Sequence, residues 1–123
     1  MKQYIFFHSR DELHRLELDS IVYFEADGNY TCIFTKNGLK TTVGSSLANM
    51  EELLTRQLGT RAAMFMRLGK RFIINRHYIF SVQVLRQQLL LSDGTTFEFH
   101  LSVSKDALKR LKELLSETYK IQS

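Results

Sequence analysis

The chain contains no proline, so every reversal of direction falls to glycine, asparagine and aspartate. Three such signals stand out: Asp27-Gly28-Asn29, Asn37-Gly38 and Asp93-Gly94. Each lies between stretches rich in β-branched and aromatic residues. Asn-Gly and Asp-Gly pairs accept the positive φ angles of tight hairpins, so the chain reads as a succession of short strands. Strands are expected at Tyr4–His8, His14–Leu16, Ile21–Ala26, Tyr30–Thr35 and Leu39–Val43. Further ones are expected at Ala63–Leu68, Phe72–Ile74, Tyr78–Leu85, Gln88–Leu91 and Thr96–Phe99. Within Tyr30–Thr35 the larger side chains Tyr30, Cys32 and Phe34 alternate onto one face, which is read as the core side.

Two segments carry the helical period instead. Ser46 is placed to cap a helix with Leu47, Met50, Leu54 and Leu58 on one face, stopped by Gly59. Ser104 is placed to cap a second, with Leu108, Leu111 and Leu115 inward and Lys105, Lys109 and Lys112 outward. The fold class expected is mainly β with short helices and a C-terminal helix. With 123 residues, 44% of them hydrophobic and no linker or repeat, a single domain spanning 1–123 is expected, its core at about 4–115.

Much chemistry is absent from the sequence. Cys32 is the only cysteine, which removes intrachain disulfides and thiolate clusters, and its mid-strand place marks an inert thiol. His8, His14, His77 and His100 show no metal-ligand spacing, so no metal and no cofactor are expected. Gly44-Ser45-Ser46 lacks the second glycine of a nucleophile elbow, and the glycines form neither a Walker A loop nor a dinucleotide fingerprint. An enzyme is not expected. The apolar runs are too short for a membrane span, and the amino terminus lacks a signal core, which points to the cytoplasm.

The formal net charge is +4, and its distribution is informative. Between Glu52 and Asp93 there is no carboxylate, yet Arg56, Arg61, Arg67, Lys70, Arg71, Arg76 and Arg86 all fall there. A segment cleared of negative charge produces a local positive potential that attracts a polyanion. At its centre, Phe65-Met66-Arg67-Leu68 and Phe72-Ile73-Ile74-Asn75 flank Gly69-Lys70-Arg71. Two strands joined by an exposed cationic loop suit phosphate or base contact, although solubility alone also accounts for such a turn.

Four pieces in order carry a family resemblance. They are Ile21-Val22-Tyr23-Phe24-Glu25-Ala26-Asp27-Gly28-Asn29-Tyr30, then Ser46-Leu47 with Leu54, then Phe65 to Asn75, then Val103-Ser104-Lys105. The chain resembles the LytTR DNA-binding domains, output modules of bacterial response regulators, from about Tyr4 to Leu115. The resemblance implies an elongated arrangement of small, mostly antiparallel sheets that places loops into successive major grooves of double-stranded DNA. Carried over by position, the DNA-binding residues are Asn29 and Tyr30, Lys70 and Arg71, and Lys105, with Arg67 and Arg76 as candidates for phosphate contact.

The same resemblance implies sequence-specific transcription regulation in a two-component system, a homodimer on paired repeat sites, and an upstream sensor kinase or regulatory protein. A receiver domain usually precedes such a module, whereas this chain starts almost directly with the domain. Either it stands alone or it is a fragment, and Met1 with the Gln122-Ser123 tail points to the former. The family's usual H-R-S is Gly69-Lys70-Arg71 here, and its V-S-R is Val103-Ser104-Lys105. Gly69 is expected to loosen the loop, and Lys105 keeps a charge without the planar fork that grips guanine.

Quieter roles compete at several positions. Asn75 reads as a turn or backbone-bonding residue, Ser104 as a helix cap, and Tyr30 equally as core or groove. Phe6, Phe7, Phe24, Phe34, Phe65, Phe72, Phe97 and Phe99 read as strand core. A small hydrolase would need a pocket holding a histidine beside Cys32 or a serine, and two further alternative functions remain at this stage. One is a protein-interaction module of the same fold that has lost DNA reading. The other is an RNA-binding β domain, which exposed aromatics on an open sheet would favour.

Overall fold

The computed structural model describes residues 2–119. Among them are ten strands in three antiparallel sheets and two α-helices, so the fold is mainly β with a C-terminal helix. The chain divides into two compact units, Met1–His77 and Tyr78–Ser123.

The first unit opens with a hairpin of β1 (Tyr4–His8) and β2 (Leu13–Glu17). A five-stranded sheet follows, built from β3 (Ile21–Asp27), β4 (Tyr30–Thr35), β5 (Lys40–Val43), β6 (Phe65–Leu68) and β7 (Phe72–Asn75). Its strand order is β5-β4-β3-β7-β6. Strand β3 is central, and its residues Ile21–Phe24 are all buried, as expected of a strand covered on both faces. Between β5 and β6 lies α1 (Leu47–Leu58), where Ser46 Oγ accepts the Asn49 N–H at 3.1 Å and Gly59 ends the helix. Leu47, Met50, Leu54 and Leu58 of α1 join Ile5, Phe7, Phe24, Ile33, Phe65 and Ile73 in one core cluster. Phe24 anchors it, edge-on to Phe7 at 5.8 Å and to Phe65 at 5.6 Å between ring centroids.

The face of β4 that meets this cluster is not the expected one. Thr31, Ile33 and Thr35 point to it, while Tyr30, Cys32 and Phe34 share the opposite face. Threonine can take the buried side because its hydroxyl finds acceptors: Thr31 Oγ1 donates to the Ser45 carbonyl at 2.7 Å, and Thr35 Oγ1 to Leu39 at 3.3 Å. Cys32 is buried on the second face, where Phe34 stacks on Tyr23 with centroids 4.5 Å apart. Phe6 also departs from its expected core role. The β1–β2 hairpin buries Ile5 and Phe7, which leaves Tyr4 and Phe6 outward and partly exposed. Along the free edge of β1, the Gln57 side chain takes the place of a neighbouring strand. Its Oε1 accepts the Phe6 N–H at 3.0 Å, and its Nε2 donates to the Phe6 carbonyl at 2.7 Å.

The second unit contains β8 (Ile79–Gln83), β9 (Gln88–Ser92) and β10 (Glu98–Ser102), ordered β10-β9-β8, and then α2 (Lys105–Tyr119). Ser104 caps α2, its Oγ accepting the Ala107 N–H at 3.3 Å. Leu108 and Leu111 are buried as expected, whereas Leu115 is only half-buried. Strand β10 begins at Glu98 rather than Thr96, because Asp93 captures the intervening backbone. Its Oδ1 accepts from the amides of Thr95, Thr96 and Phe97 at 3.0, 2.7 and 3.4 Å, so the turn is wider than a two-residue hairpin. The expected strand start at Ala63 is likewise replaced by a tight helical turn over Gly59–Met64. No helix among the described residues is long and apolar enough to cross a membrane.

Candidate nucleic-acid interface

Two hairpin loops leave the five-stranded sheet at the same end. Strand β3 finishes at Asp27 and returns as β4 at Tyr30, with Gly28 at φ +60° and Asn29 forming the turn. Gly69-Lys70-Arg71 closes the β6–β7 hairpin, with Leu68 opposite Phe72. Because β3 and β7 are antiparallel, with Glu25 opposite Phe72, the end of β3 and the start of β7 coincide. The Ala26 N–H donates to the Arg71 carbonyl at 2.8 Å and ties one loop to the base of the other. The fold therefore brings Asn29, Tyr30, Lys70 and Arg71 to one end of one sheet.

The three basic residues around the central loop are held differently. Arg71 donates from Nε and Nη2 to Glu25 Oε2 at 2.9 and 2.6 Å, and its guanidinium lies 5.2 Å from the Phe72 ring centroid. Arg67 donates from Nε to the Gly69 carbonyl at 3.0 Å and from Nη1 to the Glu51 carboxylate of α1. Lys70 is exposed and makes no hydrogen bond or ion pair with the described residues. The carboxylate-free stretch of sequence is thus not free of carboxylates in space. Folding returns Glu25 and Glu51 to two of its three central cations. The loop that Gly69 is expected to loosen has two of its carbonyls hydrogen-bonded, those of Gly69 and Arg71. Gly69 takes φ +64°, a conformation that suits glycine.

Asn29 is exposed and does not need a positive φ, so the turn requires glycine at 28 but not asparagine at 29. Tyr30 is 55% exposed, which removes the core alternative for its ring. Arg76 lies beyond the other end of β7, away from the loops, with Nη1 3.5 Å from the Ala63 carbonyl. Its neighbour Asn75 is 1% exposed; Nδ2 donates to the Ile21 carbonyl at 2.8 Å and Oδ1 accepts the His77 N–H at 3.0 Å. That is the backbone-bonding role expected for it. Lys105 belongs to the second unit, exposed in the first turn of α2.

Two carboxylates escaped the sequence reading. Glu25 sits inside the matched Phe24-Glu25-Ala26 run, so its position carried a signal, but its partner lies 46 residues away. Glu51 gave none beyond its place on the polar side of α1. Glu25 also bears on Tyr23, whose phenol is pushed up to about 12, first by burial and then by the Glu25 carboxylate.

Comparison with known proteins agrees with this architecture. The family model described as the LytTr DNA-binding domain matches residues 11–116. Among solved structures, the chain is similar to a LytTr DNA-binding domain from Bacillus cereus, described as that of a methyl-accepting/DNA response regulator. The TM-score is 0.61 at 22% identity, over 94% of this chain and 98% of that one. At this identity the likeness speaks for the fold. No curated protein matches the chain.

Proposed function

This chain belongs to the LytTR family of DNA-binding domains, and from that premise we propose that it regulates transcription by inserting its loops into the grooves of duplex DNA. The family is one of DNA-binding domains rather than enzymes. We read 1–123 as a single such domain that recognises a specific sequence. The observation that carries this reading is the meeting of the Gly28-Asn29 and Gly69–Arg71 loops at one end of the sheet, with Lys70 left unpaired between two fastened neighbours.

Lys70 supplies the first attraction to phosphate. Arg71, once its bonds to Glu25 yield to a base edge or a phosphate, offers the planar fork that reads guanine. Asn29 and Tyr30 contribute from the neighbouring loop. Lys105 acts from the second unit. The dipole of α2 disfavours a cation at its first turn, so helix stability does not explain that lysine. Arg76 is at most a distant phosphate contact. Two copies on paired repeats, controlled by an upstream sensor kinase or regulatory protein, complete the proposal.

Selection of bound fragments from random duplex DNA, followed by titration of Lys70→Ala on the selected duplex, tests it. A loss of about tenfold is expected, together with a steep fall in affinity as salt rises. An unchanged Lys70→Ala titration overturns the assignment of this loop, and a flat salt titration counts against phosphate-led binding. The RNA alternative draws on the outward Tyr4 and Phe6 of β1. Competition by single-stranded RNA at concentrations where the selected duplex is saturated would support it.

A further inference from the structure

We infer that Glu51 is a positioning residue for DNA recognition: through Arg67 it fixes the central loop to α1 and holds Lys70 and Arg71 in their binding geometry. The inference rests on the reading of Gly69–Arg71 as a DNA-contacting loop. The argument starts from what the loop lacks. Gly69 takes a left-handed conformation, and apart from its two chain neighbours no residue comes within 4 Å of where a Cβ would stand. Packing therefore does not hold that side of the loop, and its position depends on hydrogen bonds.

Arg67 supplies one of these bonds. Its guanidinium makes two contacts at once, Nε to the Gly69 carbonyl and Nη1 to the Glu51 carboxylate. Glu51 is a firm anchor because it follows Met50, which is 2% exposed in the core cluster, on a helix also fixed by Leu47, Leu54 and Leu58. A rigid helix is thus connected to a loop carbonyl by one planar group. Without the carboxylate, the arginine loses the partner that orients it, and the Gly69 carbonyl loses a directed donor. In this role Arg67 supports the loop rather than contacting phosphate.

The inference makes a prediction opposite in sign to simple electrostatics. Removing a carboxylate raises the net charge above +4, and on charge alone this tightens binding to a polyanion. If Glu51 positions the loop, Glu51→Gln instead weakens binding to the selected duplex, by roughly tenfold. Glu52→Gln is the matched control, because Glu52 is the next residue on α1, exposed and without a partner among the described residues. It tightens binding slightly.

Arg67→Lys keeps the charge but cannot hold both acceptors in one plane, so it weakens binding to a similar degree. Combined with Glu51→Gln, it adds little further loss, as expected of two residues acting as one unit. Glu51→Asp restores part of the affinity. Thermal unfolding is the check that each variant folds, and faster amide exchange at Lys70 and Arg71 in Glu51→Gln is expected to report the released loop. The inference is overturned if Lys70→Ala weakens binding while Glu51→Gln leaves it unchanged or tightens it as Glu52→Gln does. If Lys70→Ala has no effect, the underlying reading of the loop falls as well.

Discussion

Two glycine-containing hairpin loops, one in each unit, are ordered by opposite means. The 93–97 loop is satisfied almost entirely from within. Asp93 accepts from Thr95, Thr96 and Phe97, and Ser92 Oγ bridges the Gly94 N–H and the Phe97 carbonyl at 2.8 and 2.7 Å. The 69–71 loop is satisfied from outside, by Ala26 and Glu25 of β3 and by Arg67 braced against α1. A self-bonded loop shapes its own strand and carries little information about the rest of the fold. An externally fastened loop has a position set by other elements, as a group that must meet a partner in register requires.

The largest expected difference between the two loops lies in DNA affinity. Replacing both Lys70 and Arg71 by alanine weakens binding to the selected duplex on the order of a hundredfold, whereas Asp93→Ala leaves it within about twofold. Comparable losses from both changes would abolish the distinction. Next comes the backbone. Gly69→Ala forces a side chain into φ +64° and costs about 1 kcal/mol of stability, measurable by denaturant unfolding, together with a several-fold loss of affinity.

A smaller effect separates the loops by pH. The Thr96 hydroxyl and the amides of Thr95 and Thr96 hold the Asp93 carboxyl well below the usual carboxylate range. Its contribution to stability is complete above the ordinary aspartate pKa of about 4 and is lost as acidification approaches its depressed folded value. Asp93→Asn should therefore flatten the acid limb of a plot of Tm against pH, and an unchanged limb would remove this loop from the acid response. The smallest effect is alkaline. With Tyr23 raised to about 12, stability falls between pH 10 and pH 12 as the phenol of the unfolded chain ionises while the folded one stays neutral, and Tyr23→Phe flattens that decline.

The same contrast explains what could be read from the sequence. Wherever structure is local, the pattern was legible. The strands Tyr4–His8 and Tyr30–Thr35 fall where expected, and so does the α1 segment from its Ser46 cap to Gly59. Asp93-Gly94 was recognised as a turn, although its width depended on how many amides one carboxylate could gather. What stayed hidden was non-local. The inward face of β4 was misjudged because large side chains outweighed Thr31 and Thr35, whose hydroxyl acceptors become visible only in three dimensions. The candidate site divides in the same way. Lys70 and Arg71 were apparent from a cationic break between apolar strands, whereas the carboxylates around them were not: Glu25 lies 46 positions from Arg71, and Glu51 lies 16 from Arg67.

The carboxamide of Gln57, seated on the outer margin of β1, bears on how this chain behaves when crowded. An uncovered strand margin invites an unrelated strand to extend the sheet, which is a route to fibrils. Here the middle of that margin is already occupied at Phe6, so an incoming chain must first expel a side chain that donates and accepts at once. Gln57→Ala would leave that position open, and slow polymerisation at high concentration would be its signature even where the monomer folds normally.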